Sequence, residues 1–194
     1  MFLVMQAQNT QSLETAAASV TTQRDLNDVF VRAREGAYKI TISEEELNAY
    51  VARKLAMKQG GALAGVVSLE KILIRLEEER AEVITVRKVF GKTFTTSLWL
   101  TIEQTENASG EVATSFDLSG GTMPILHKIK KGGRFGRLTV PQGFLLLTKS
   151  AHIQLVDVFA EDIRNGIEEM GRIQIRKGAL ELDPNLDQSS FFGR

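Results

Sequence analysis

The sequence contains no cysteine. That excludes disulfides, thiolate metal sites and a cysteine nucleophile, while leaving an oxidising compartment open. Histidine is nearly absent too, with His127 and His152 alone. A histidine-based metal site would need carboxylate ligands as well, and no HxxxH or HExxH spacing occurs. Net charge is missing, since Lys+Arg and Asp+Glu both number 24. No global field therefore favours nucleic acid or an anionic surface, and any such role must rest on a local cluster. Nor is there a run of about 18 apolar residues, so no membrane-spanning helix is expected. The opening MFLVM is apolar, but it lacks a basic start and runs straight into polar QAQNTQS. It reads either as the end of an anchor or as the start of an ordinary soluble chain.

What is present is ordinary globular material. Hydrophobic residues make up 43% and charged residues 25% of 194 positions, enough for one domain with a real core. Residues 1–22 are expected to form a flexible tether; within them 6–22, rich in Gln, Thr, Ser and Ala, read as either frayed chain or a weak helix with apolar positions at Leu13, Ala16, Ala17 and Val20. Residues 23–183 are expected to form a single α+β domain, and 184–194 a loose tail. The clearest local signal is Ser43 to Lys58. Ser43 and Glu46 have capping-box spacing, Glu44 to Glu46 suit the positive end of a helix dipole, and Leu47, Tyr50, Val51 and Leu55 form an apolar stripe.

From Leu69 the period changes to two. Alternation predicts strands over Leu69–Leu76, Glu82–Val89, Phe94–Ile102 and Val112–Leu118, joined by short turns into an antiparallel meander with one buried face. Shorter alternating stretches lie at Tyr38–Ile42, Leu138–Val140 and Ile173–Leu182, and Gly120–Gly136 reads as irregular. Pro141 to Met170 places Ile153, Val156, Phe159, Ala160, Ile163, Ile167 and Met170 at spacings of three and four, which predicts one long amphipathic helix. The fold expected is α+β, a curved antiparallel β-sheet wrapped around that long C-terminal helix, with a second, shorter N-terminal helix.

No acid, base and nucleophile set is visible, so neither an enzyme nor a catalytic residue is expected, and no metal or cofactor. Ser150 lacks a nucleophile-elbow context, and His152 reads as a packed histidine on the helix stripe. Trp99 falls on the strand face opposite Leu98 and Leu100, either as packing or as a contact for a ligand or partner. The loop KIKKGGRFGR gathers Lys128, Lys130, Lys131, Arg134 and Arg137 without an acid. It is either a solvated loop or a site for anionic headgroups, through Lys130, Lys131 and Arg134. Its glycines do not open a helix after a strand, so no dinucleotide or Walker loop is expected, and nucleic acid is not an expected partner.

Two blocks carry a resemblance. One is ITISEEELNAYVARKL, Ile40 to Leu55; the other runs from GRLTVPQGFLLL to IQIRKGALEL, Gly136 to Leu182. With the meander between them, the order resembles a family of bacterial envelope domains of uncharacterised function, which usually carry an N-terminal membrane anchor. These are similar to tubular lipid-binding (BPI-like) domains. The resemblance implies a groove between sheet and helix, a lipid or other apolar ligand, a membrane surface nearby, and a cell-envelope location, or a cytoplasmic one if no anchor lies upstream. The residues expected to meet such a ligand are Leu98, Leu100 and Phe116 from the sheet, with Leu146, Ile153, Val156, Phe159 and Ile163 from the helix. The same residues would also suit a dry core, each worth about 2 kcal/mol. The alternative is a scaffold module that binds a partner protein through a sheet edge or the Trp99 face.

Overall fold

The alternating stretches become two antiparallel sheets in the computed structural model, which describes residues 6–22, 24–58, 69–89, 91–106, 112–123, 128–148 and 158–185. The larger sheet contains β2 (Leu69–Glu77), β3 (Arg80–Val89), β4 (Lys92–Glu106), β5 (Val112–Asp117), β6 (Lys131–Phe135) and β7 (Leu138–Pro141). Its order is β2-β3-β4-β6-β7, and β5 also pairs with β4. β4 is long enough to serve two neighbours along one side: β6 takes Thr96 to Leu98, and β5 takes Thr101 to Glu106. The smaller sheet has the order β1-β9-β8, built from β1 (Ile40–Ser43), β8 (Arg172–Arg176) and β9 (Ala179–Asp183). Helices α1 (Gln11–Ala18), α2 (Leu26–Glu35) and α3 (Glu44–Lys58) precede the large sheet, and a short α4 (Ala160–Ile163) follows it.

The register sorts the large sheet into two faces. Val83 stands between Ile74 and Leu98, while Glu82 stands between Arg75 and Trp99. Successive residues of a strand point to opposite sides. The front face is therefore mainly apolar, with Ile72, Ile74, Leu76, Ala81, Val83, Leu98 and Leu100, and carries the bonded pair Thr85 and Thr96 opposite Ile72. The back face mixes Arg75, Glu82 and Ser97 with Leu73, Ile84, Val86 and Trp99. Sequence periodicity led to one buried face, but both are covered. Leu13 of α1 packs on Leu73, Ile84 and Val86, and Gln8 ahead of it bonds to Thr95 and Ser97. From residue 6 onward, the stretch expected to be a tether is thus docked on the back of the sheet.

The expected long C-terminal helix is not found, and with it goes the picture of one sheet wrapped around a helical axle. Among the described residues the span from Pro141 to Met170 holds a 3-10 helix at Gln142–Thr148, the single turn of α4, and a π-helical turn at Arg164–Glu168. Two glycines weaken a continuous helix here. At Gly166 the constraint is visible, because a Cβ would lie 2.7 Å from the Phe30 ring. Asn165 beside it is buried and donates from Nδ2 to Asn27 Oδ1 at 2.7 Å. The local path follows packing against α2 rather than helical period. No helix among the described residues is long and apolar enough to cross a membrane.

The loop expected at Gly120–Gly136 contains β6, and its glycines serve strand packing. A Cβ on Gly133 would sit 1.8 Å from the Ser97 carbonyl oxygen. Gly136, at φ 55°, turns the chain into β7.

α3 forms where the capping signal places it, with the Glu46 N–H donating to Ser43 Oγ at 3.2 Å. The Glu46 carboxylate grips the Arg24 guanidinium at 2.5 and 2.7 Å instead of returning to the cap. Asn48 is the unexpected residue of this helix. It is wholly buried and takes the place of a neighbouring strand beside β2. Its Nδ2 donates to the Ile74 carbonyl at 2.7 Å, and the Ile74 N–H donates to its Oδ1 at 2.7 Å. The Leu76 N–H donates to Glu44 Oε2, and the Gly178 N–H to the Leu76 carbonyl at 3.0 Å. Side chains thus cover an edge that would otherwise offer free backbone groups to another strand. Asn48→Leu is expected to leave two buried Ile74 groups unpaired and to lower stability by about 1–3 kcal/mol, with a lower urea midpoint. An unchanged midpoint would show that water replaces the amide without cost.

Candidate functional site

The front face of the large sheet does not close directly on the elements above it. Between them lies a cavity of about 690 Å3. Its floor is formed by β2, β3 and β4, including Ile74, Val83, Leu98, Leu100 and Ile102. Leu26 and Phe30 of α2, Tyr50 and Val51 of α3, and Phe159, Ile163 and Ile167 around α4 form the opposite wall. Ile175 and Leu180 of the small sheet also line it, as do Leu118 and Leu145. Leu118 is 39% exposed, so the lining reaches the surface there. The volume falls within the ~300–1,000 Å3 of ordinary small-molecule sites.

Among the described residues the polar groups on the wall are few: Tyr50, Asp162 and Gln142. Two of them meet. The Tyr50 hydroxyl donates to Asp162 Oδ1 at 2.6 Å, and the Lys54 ammonium is bonded to Asp162 Oδ2. Lys54 also lies 5.7 Å from the centre of the Tyr50 ring and 5.9 Å from that of Phe159. Burial, then the hydrogen bond to Asp162 and its charge, pushes the Tyr50 hydroxyl far above its ordinary pKa. The phenol therefore remains a donor to Asp162 at physiological pH.

The expected ligand residues divide. Leu98, Leu100, Phe159 and Ile163 line this one cavity. Phe116 stands opposite Ile102 in register but is 39% exposed. Leu146 belongs to the 3-10 helix, of which its backbone alone is described, and Ile153 and Val156 lie outside the described residues, as does His152. Sequence reasoning missed the contribution of α2 and the small sheet, and it missed Tyr50 and Asp162. A hint existed in Tyr50, a hydroxyl carried on the buried stripe of α3.

The basic loop is largely engaged within the fold. Lys130 pairs with Asp117 at 2.9 Å. Arg134 points to the back face, where it reaches Glu82 at 3.2 Å and lies 4.9 Å from the centre of the Trp99 ring. Lys131 sits at the start of β6 and is half-buried. Trp99 itself is 3% exposed, and a Cβ on Gly120 would lie 2.4 Å from its ring. It is packing, not a contact face. Among the described residues no group of three or more metal-ligating side chains converges. No family model, curated protein or solved structure matches the chain.

Proposed function

We propose that this chain is a non-enzymatic binding domain that takes a lipid or another apolar ligand between its large sheet and the helices facing it. The observation that carries the reading is the apolar cavity. Packed interiors hold few voids larger than a water molecule, so a space of about 690 Å3 walled by apolar side chains points to an occupant. Water in this space meets only three polar side chains among the described lining residues, so its displacement by a hydrocarbon is favourable. A hydrocarbon chain needs no such partners and returns apolar contact on all sides.

A cell-envelope location and the likeness to BPI-like domains belong to the same proposal, motivated by Ile40–Leu55 and Gly136–Leu182. Headgroup contact is not required of Lys130 or Arg134, whose charges meet Asp117 and Glu82. The scaffold alternative loses two of its surfaces. Trp99 is buried, and the β2 edge is covered at Ile74 and Leu76 by Asn48 and Glu44.

Mass spectrometry of organic extracts from the natively purified chain tests the reading, together with titration of the neutral apolar dye N-phenylnaphthylamine. A co-purifying amphiphile, or saturable dye binding at one site per chain, is expected. A lipid-free protein that also fails to bind the dye would sink the proposal.

A further inference from the structure

The polar corner of the cavity has a chemical polarity of its own. Tyr50 and Asp162 line the wall, whereas Lys54 is not among the lining residues. The donors on Tyr50 and Lys54 are both directed at the Asp162 carboxylate. What the corner presents to the cavity is therefore acceptor, through the remaining lone pairs of Asp162, while the Tyr50 oxygen already faces the Asn27 backbone N–H. Asp25 adds a second negative charge near the Tyr50 hydroxyl, and Arg53 lies over the Tyr50 ring at 5.5 Å. Gln142, the third polar residue among the described lining residues, contributes a neutral amide that can donate or accept and so favours neither kind of polar end.

We propose that this corner selects single-chain amphiphiles whose polar end donates a hydrogen bond, an alcohol or an amine, over those ending in a carboxylate. The inference rests on the cavity being a binding site. An alcohol or ammonium at the end of an acyl chain finds Asp162 ready to accept. A carboxylate brings further acceptors to Asp162, whose two neighbouring donors on Tyr50 and Lys54 are already committed, and it adds negative charge beside another carboxylate. Lys54 and Arg53 reduce that repulsion without offering the ligand a free N–H on the wall.

The test is displacement of N-phenylnaphthylamine from the purified chain by dodecanol, dodecylamine and laurate, below their micelle concentrations. Dodecanol and dodecylamine should each half-displace the dye at concentrations about tenfold below that of laurate, the effect of one charge-assisted hydrogen bond. Asp162→Asn, which supplies an amide donor and removes the charge, should bring laurate within about twofold of dodecanol. Lys54→Met keeps the carboxylate and removes its counter-charge, so it should widen the gap. That opposite sign decides the matter if circular dichroism shows Asp162→Asn to be unfolded. Equal displacement by laurate and dodecanol from the native chain overturns the selectivity while leaving the cavity reading standing, as does an unchanged ratio in a folded Asp162→Asn. Failure of the native chain to bind the dye at all overturns the cavity reading instead.

Discussion

Replacing Glu82 with alanine should lower the stability of the domain by about 3 kcal/mol, toward the lower end of what breaking a buried ion pair costs. Glu82 is completely buried. Its carboxylate accepts from Arg75 at 2.8 Å, from Arg134 at 3.2 Å and from the Ser97 hydroxyl at 2.6 Å. Gln8 completes the set, donating to Ser97 Oγ at 3.1 Å and accepting from Arg134 at 3.4 Å. Without the carboxylate, two guanidiniums face a shared site with no counter-charge. The arginine side chains keep 27% and 30% exposure, so water relieves part of the repulsion, which is why the lower end applies. For a chain of this size the loss corresponds to a fall of roughly 6–12 °C in melting temperature. Glu82→Gln should fall between, because it still accepts from Ser97. Replacing Glu82, Arg75 and Arg134 together by apolar residues should cost less than Glu82→Ala alone, since no charge is stranded. Hydrogen exchange should also quicken over Gln11–Ala18 in Glu82→Ala, because the anchor at Gln8 weakens. A melting temperature equal to that of the native chain would show that the arginines are fully solvated in solution.

The second large effect concerns the cavity. Val83 and Leu98 stand opposite one another in register, and both line it. Substituting both by tryptophan places two indoles side by side over the floor. In a close-packed core such a change costs about 1–3 kcal/mol per site through strain. Here the rings have space, so the denaturant midpoint should hold or rise, while dye affinity should fall by about 100-fold, equivalent to ~2.7 kcal/mol. A double variant that unfolds would mean that the space is not available in solution. A stable variant that still binds the dye with native affinity would place the binding elsewhere.

Both experiments turn on residues that the sequence marks unevenly. Strand positions were legible because alternation is local. Leu69–Glu77, Arg80–Val89 and Val112–Asp117 form where apolar and polar residues alternate, and α3 begins at its Ser43 cap. What alternation does not reveal is that the second face is also covered. Glu82 shares its face with Ile84 and Val86, and an acid in that pattern was the available sign. The Gln-rich segment before α1 looks like linker because the surface it covers is polar, so hydropathy carries no trace of the docking. Asn48, a poor helix former on the buried side of α3, was a similar sign of a bond made outside the helix. The long-helix reading failed for a different reason. Spacings of three and four recur equally when short turns each send apolar side chains toward a common cavity, as Phe159, Ile163 and Ile167 do. The candidate site was legible as far as Leu98, Leu100, Phe159 and Ile163, whereas the polar corner depends on Tyr50 and Asp162, 112 residues apart.

The anchoring of Gln8 by Arg134 joins positions 126 residues apart, and that separation has a consequence in time. At the ~5–20 residues per second of synthesis, roughly 6–25 s pass between the appearance of Gln8 and that of its partner. β1 waits longer still, because its partner is β9, with Ile40 against Leu182. Leu13 waits only for Leu73, Ile84 and Val86, but the β1 edge has no native cover through the whole interval. The nascent chain thus carries an uncovered β1 edge until its last strand is made, and a chaperone acting on this protein should be found on residues 40–43 of ribosome-bound chains and released once β9 has emerged.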